Sequence, residues 1–345
     1  MAGQKFDRLD GLRAIAALGV VFYHLPGPLH VLAPRGYLAV DLFFLMSGFV
    51  IAAAYEARLL AGMGTGAFLL VRLKRLWPLY GLGVVLGVLV FSLIRFARPD
   101  APFVFPHMPL AAAIAASLAF LPQLAAYGGP AFPFNSASWS LSVELFGNLA
   151  YASLARTLRT PLLAAFAAVG LCGLAVVAFK TGNLDVGVSS AGLAGGYVRF
   201  LFSFALGVLL YRLHAAGRLP ALRAPAWLTL GATGLAFTGF AGGGPIWDLV
   251  VVAGLFPAVV IASREPIGAR RLAGAFAWAG AVSYPLYILH PPLIAAITVL
   301  VPATALPAAS SLLLAGLVAA AALANRYFDH PIQSLLRQPR KLAPA

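Results

Sequence analysis

Apolar residues in this chain run in long blocks broken by short polar or Gly/Pro-rich stretches. The amphipathic striping of a water-soluble helix is missing. Eleven apolar segments fall at about 12–28, 37–55, 76–94, 108–126, 139–155, 161–179, 197–213, 226–241, 246–262, 276–298 and 307–324. A helix needs about 17–25 apolar residues to cross the ~30 Å hydrocarbon core, and all of these blocks but 226–241 reach the lower end of that range. The pattern predicts an all-α membrane protein, a polytopic helical bundle.

Basic residues sort the connections. Nineteen of the 24 Lys and Arg fall at the N-terminus, the C-terminus and alternate loops, leaving Arg35, Arg95, Arg98, Lys180 and Arg199 for the other side. Both termini are therefore expected on the cytoplasmic side. Two ends on one side require an even number of crossings, so one of the eleven segments stops short. The segment 108–126 fits best, because it breaks at Pro122 into LPQLAAYGGPAFPFNSAS. The expected fold is about ten transmembrane helices plus one partial or re-entrant segment, allowed only where protein or water covers its backbone.

Composition agrees. The chain is 61% hydrophobic and 10% charged, too apolar for a soluble fold of its length. Its net charge of +14 sits in short loops between spans, which points to topology control and not to nucleic acid. Cys172, alone of its kind, is expected to serve packing. The opening segment mixes acidic with basic residues and has no small-residue cleavage pattern, so it reads as a retained first span. Residues 1–345 are expected to form one membrane domain.

Against this background, ionisable residues inside apolar blocks stand out, because they are costly in lipid and usually face a cavity. In FDRLDGLRAIAALGVVFYH, Arg13 and His24 are eleven residues apart. In a helix that is about three turns plus 20°, so both lie on one face roughly 16 Å apart. A snorkelling arginine and an interfacial histidine would explain them equally. In GYLAVDLFFLMSGFVI, Asp41 could meet His24 at the outer ends of adjacent spans and support it as a general base, or stand in the interface as a hydrated carboxylate. Ser47 beside Gly48 could be helix-packing glue. Arg72 and Arg75 share a helix face and suit a phosphate, although a topogenic basic cluster would look the same. Trp139 precedes Glu144, which has no local charge to pair with. His290 sits against Pro291 and Pro292, which with Pro285 should break or bend their helix and expose carbonyls. Asp329 is expected at the cytoplasmic face.

Taken together, these stretches resemble the acyltransferase 3 family of integral membrane acyltransferases, in the form without an appended soluble domain. FDRLDGLRAIAALGVVFYH is similar to its opening motif, GYLAVDLFFLMSGFVI to its second helix and RLKR (72–75) to its arginine element. WSLSVE resembles its tryptophan–glutamate motif, SYPLYILHPP its late histidine helix, and RYFDHPI its terminal pattern, with Asp329 where glutamate is commoner. The resemblance implies O-acyl transfer, commonly O-acetylation, from cytoplasmic acyl-CoA (acetyl-CoA foremost) to a hydroxyl of a carbohydrate or glycolipid in the cell envelope, at a bacterial inner membrane. It assigns the CoA phosphates to Arg13, Arg72 and Arg75, and the general base to His24. Glu144 or Asp41 would orient His24 or bind the acceptor, with Ser47, Trp139, Tyr284 and His290 as possible acceptor or support residues. No metal is implied. A small hydroxylated metabolite is a second acceptor class. A transporter using the intramembrane His, Asp, Glu and Arg as a relay is the competing function.

Overall fold

The structure is a computed structural model, described for residues 6–97, 108–124, 129–239, 243–265, 267, 270–302 and 304–337. Eleven helices account for the eleven apolar blocks: α1 Asp7–His24, α2 Gly36–Leu60, α3 Thr65–Ala97, α4 Leu110–Leu118, α5 Ser138–Leu154, α6 Thr160–Thr181, α7 Leu193–Ala215, α8 Ala226–Phe237, α9 Pro245–Ala262, α10 Arg270–Leu300 and α11 Leu306–Leu336. Seven of them (α2, α3, α6, α7, α9, α10 and α11) are long and apolar enough to cross a membrane. This is an all-α integral membrane protein. Among the described residues, strand pairing is limited to one isolated bridge, Pro130 with Ser189.

The short helix falls where the loop-charge argument requires it. Helix α4 has nine residues, about 14 Å of rise, less than half the hydrocarbon thickness. It stops against α3, where Tyr80 Oη and Trp77 Nε1 donate to the carbonyls of Ser117 and Leu118. The chain then reverses at Phe120, whose φ of 60° is a left-handed turn, and Gln123 N donates to Ala131 O. The end of the expected segment, 125–126, lies outside the described residues, as do Lys5, Arg98, Arg340 and Lys341.

Charged groups gather at two ends of the bundle. At one, Arg212 pairs with Glu56, Arg75 with Asp329, and Arg8 donates to Ala224 O. At the other, Arg35 pairs with Asp248, Arg199 with Asp41, and Tyr23 donates to Asp185. These are the two loop sets that the basic residues separate in the sequence.

Helices α2 and α7 cross at Gly48 and Gly207. A Cβ on Gly48 would come within 2.3 Å of Phe204 O, and one on Gly207 within 2.1 Å of Leu45 O. Only glycine permits this backbone approach, and the crossing aligns Asp41 on α2 with Arg199 on α7.

Two expectations are corrected. Helix α10 runs through Pro285, Pro291 and Pro292 without a break, because the carbonyls freed by the last two prolines find side-chain donors, as described below. Cys172 is exposed, since α6 lies at the bundle's edge and turns this residue outward. Asp329 sits at the expected end but is buried, held between Arg75 and Gln333.

Candidate active site

The sequence-predicted residues line two cavities stacked along the bundle. The larger, about 190 Å³, is bounded by Arg13, Ser47, Arg72, Arg75, Ser140, Glu144, Tyr284 and Tyr287 among others. The smaller, about 30 Å³, has His24, His290, Trp139, Asp185, Arg199 and Tyr287 in its wall. Val40 and Tyr287 belong to both walls, so these two side chains stand between the cavities.

In the larger cavity, Glu144 Oε1 accepts from Arg72 Nη2 at 2.7 Å and from Ser47 Oγ at 2.6 Å. The carboxylate that lacks a partner in its own helix is paired from α3. Arg72 still has one buried donor, Nε, without a partner. Arg75 donates to Asp329 Oδ2 at 3.1 Å and lies against the Tyr284 ring, while Tyr284 Oη donates to Leu76 O. Arg13 pairs with Asp10 one turn earlier at 3.1 Å. Three guanidinium groups thus face this space, each already paired with one carboxylate (Arg72 with Glu144, Arg75 with Asp329, Arg13 with Asp10), so what they offer a ligand is their unused N–H donors and not an uncompensated charge.

The smaller cavity holds the histidines. His24 Nδ1 lies 2.9 Å from Val20 O, one turn back on α1, so it carries the proton and leaves Nε2 as the basic atom. His290 Nδ1 lies 2.7 Å from Tyr287 O, and its Nε2 approaches His24 Nδ1 at 3.4 Å. Both rings are held in one tautomer, and His290 supports His24 from behind.

Proline chemistry makes this possible. An ordinary residue at 291 would donate its N–H to Tyr287 O; Pro291 cannot, and His290 takes that carbonyl. Pro292 likewise frees Ile288 O, which accepts from Asn135 Nδ2 at 2.8 Å and anchors the segment leading into α5. Pro78 frees Lys74 O, which accepts from Gln333 Nε2 at 3.1 Å. Two of these carbonyls, Ile288 O and Lys74 O, are filled from a second element, so Pro292 and Pro78 tie the site to its neighbours.

Asp41 does not meet His24. It is fully buried and grips Arg199, which donates from Nη2 to Oδ2 at 2.7 Å and from Nε to both carboxylate oxygens at 3.2 Å. Nη2 also donates to Tyr37 O and Nη1 to Val186 O, and the Trp139 ring lies against the same group. Arginine outcompetes the histidine because its planar fork meets both carboxylate oxygens at once. Glu144 does not reach His24 either, since it lines the other cavity. The residue beside His24 is His290.

Sequence reasoning passed over Arg199, Tyr287, Ser140 and Asp185. Arg199 carried a usable signal, a lone charge inside an apolar run, but was read as a loop residue. Asp185 stands at the rim, where its Oδ2 accepts from Tyr23 Oη at 2.5 Å. Its loop is pinned by Asp248, which takes Leu184 N at 2.8 Å and Tyr37 Oη at 2.9 Å.

A family model described as an acyltransferase domain, that of acyltransferase 3, matches residues 6–325. The chain belongs to this family. It is a membrane acyltransferase, and the carrier reading loses its ground to that membership. "Protein 2 in picA locus" of Rhizobium radiobacter is 38% identical over 157 residues, 43% of this chain and 82% of that relative. No solved structure matches.

Proposed function

We propose that this acyltransferase moves an acyl group, acetyl foremost, from acyl-CoA to a hydroxyl of a glycan or glycolipid, with His24 as general base. The observation that carries the reading is that an arginine-lined cavity and a histidine-bearing cavity are neighbours, with Val40 and Tyr287 in both walls. A donor with anionic phosphates suits the first, and a hydroxyl that must lose a proton suits the second.

In this scheme Arg75 and Arg13, the more exposed guanidiniums, meet the donor phosphates at the mouth. Arg72 stays on Glu144 and offers its free Nε–H inside. The cavity volume suits a slender pantetheine arm, leaving the nucleotide outside. His24 Nε2 takes the acceptor proton as the hydroxyl oxygen attacks the thioester carbon, and the thiol departs along the arginine side. Direct transfer needs no acyl-enzyme. His290 and Asp41 act as positioning residues, the first through the His24 ring and the second through Arg199. Trp139 and Asp185 face the acceptor. The arginine side is assigned to the cytoplasm from the distribution of basic loops, and the membrane to a bacterial inner membrane.

The test is acceptor-dependent CoA release by purified protein with acetyl-CoA and crude envelope glycans. Wild type should turn over and His24→Gln should lose at least about 10²-fold in kcat, the usual contribution of a general base. Undiminished turnover by His24→Gln would remove His24 from the chemistry. Failure of wild type both to bind and to consume acyl-CoA would overturn the donor assignment.

A further inference from the structure

We propose that the Tyr287 hydroxyl donates the hydrogen bond that stabilises the oxyanion formed during acyl transfer, a role that rests on the acyl-transfer reading above. On that reading the thioester enters from the arginine side and the activated hydroxyl from the histidine side. The reacting carbon must then sit where the two spaces meet. Two residues line both cavities, Val40 and Tyr287, and only Tyr287 has a polar side chain.

The resting hydrogen bonds leave this hydroxyl as a donor. Ser140 Oγ lies 3.1 Å from Ala137 O, which can only accept, and 2.6 Å from Tyr287 Oη; with the serine proton on that carbonyl, the tyrosine is the donor to Ser140. Ser140 lines the larger cavity, so the tyrosine proton is held by a replaceable acceptor at the edge of that space. The ring is fixed edge-on to Phe43 with centroids 5.5 Å apart, and the Tyr287 carbonyl is bound by the His290 ring. A buried donor, fixed beforehand near the point where negative charge develops, is the arrangement that electrostatic catalysis requires.

The step balances. The acceptor oxygen bonds to the thioester carbon as its proton passes to His24 Nε2. The carbonyl π pair moves to oxygen, where the Tyr287 O–H shifts from Ser140 to meet it. The pair then returns, the C–S bond breaks, and the sulfur leaves with the proton from the His24 imidazolium as free CoA thiol. Neither an oxidant nor a metal enters the balance.

The experiment compares wild type, Tyr287→Phe and a protein carrying 4-aminophenylalanine at 287, which restores an N–H donor on the same ring. For each, acceptor-dependent kcat is measured along with the Kd for a non-cleavable acyl thioether of CoA. Tyr287→Phe should lose about 10²–10³-fold in kcat with Kd within about twofold of wild type, as for loss of an oxyanion donor. The amino variant should recover at least a tenfold part of that loss. A Tyr287→Phe enzyme within about threefold of wild-type kcat overturns the proposal while leaving acyl transfer intact. Parallel losses of kcat and thioether binding, unrescued by the amino variant, also overturn it and make Tyr287 structural. A wild type inactive with every acyl-CoA removes the reading underneath.

Discussion

At the residue scale, the most exacting demand is the Asp41–Arg199 pair. Both side chains are essentially out of solvent, at 0% and 1% exposure, and every contact of the guanidinium is made by protein: two carboxylate oxygens, two carbonyls and the face of Trp139. Removing one partner strands a buried charge, which costs about 3–5 kcal/mol. Asp41→Asn and Arg199→Met should each lower the detergent-solubilised Tm sharply, and the double variant should regain part of the loss. Additive losses in the double variant would show that the pair is not coupled. Arg75 is the opposite case. Its side chain is 39% exposed at the cavity mouth but its partner Asp329 is only 6% exposed, so Arg75→Ala should raise KM for acyl-CoA by about 10-fold or more, the value of a charge-assisted contact, and the double variant Arg75→Ala/Asp329→Asn, which strands no buried carboxylate, should keep Tm nearly unchanged. These two arginines look equivalent as letters; burial separates their roles. The sequence made Arg75 prominent through its three-residue spacing from Arg72. It could not show that Asp41 would choose Arg199 over His24, because that choice depends on which helix crosses α2 next to it.

At the element scale, prolines and glycines carry the architecture. Eleven apolar blocks were legible as eleven helices, and the shortfall of 108–126 was legible from Pro122 and the alternation of basic loops. The continuity of α10 was not, since a proline's effect depends on what fills the carbonyl it frees. The structure answers with His290 on Tyr287 O and Asn135 on Ile288 O. Pro291→Ala would restore the backbone donor and compete with the His290 ring. It should therefore keep or raise Tm while lowering kcat by about tenfold through a loosened His24–His290 pair. An unchanged kcat would show that the histidine tautomer does not depend on this vacancy. Gly207→Val tests the other device. Its side chain would strike the α2 backbone near Leu45 O, and a Tm lowered by overpacking of at least about 1–3 kcal/mol is expected.

At the scale of the whole molecule, the proposed function has two neighbouring cavities divide one reaction between two ends of a bundle. Arg13, Arg72 and Arg75 line one cavity with Glu144, and His24, His290 and the Tyr23–Asp185 rim line the other, with Tyr287 in both walls. Membership of the acyltransferase family is established by a match from residue 6 to residue 325, and the motifs that signalled it are the ones that line these spaces. The motifs did not reveal the partition itself, because Tyr287 and Ser140 lie on helices far apart in sequence and are brought to hydrogen-bond distance only by the fold. If donor and acceptor enter from opposite ends, the protein links a cytoplasmic thioester to an external hydroxyl without carrying either substrate across.

Sidedness is therefore the most direct measurement. The protein is reconstituted in sealed vesicles in known orientation, with labelled acetyl-CoA supplied on the arginine side and the envelope glycan acceptor either trapped on the histidine side or placed with the donor. The two-cavity account predicts labelled acceptor when the substrates face each other across the membrane, and little when both are on the arginine side. Equal labelling in both arrangements, or labelling confined to the shared side, would contradict it.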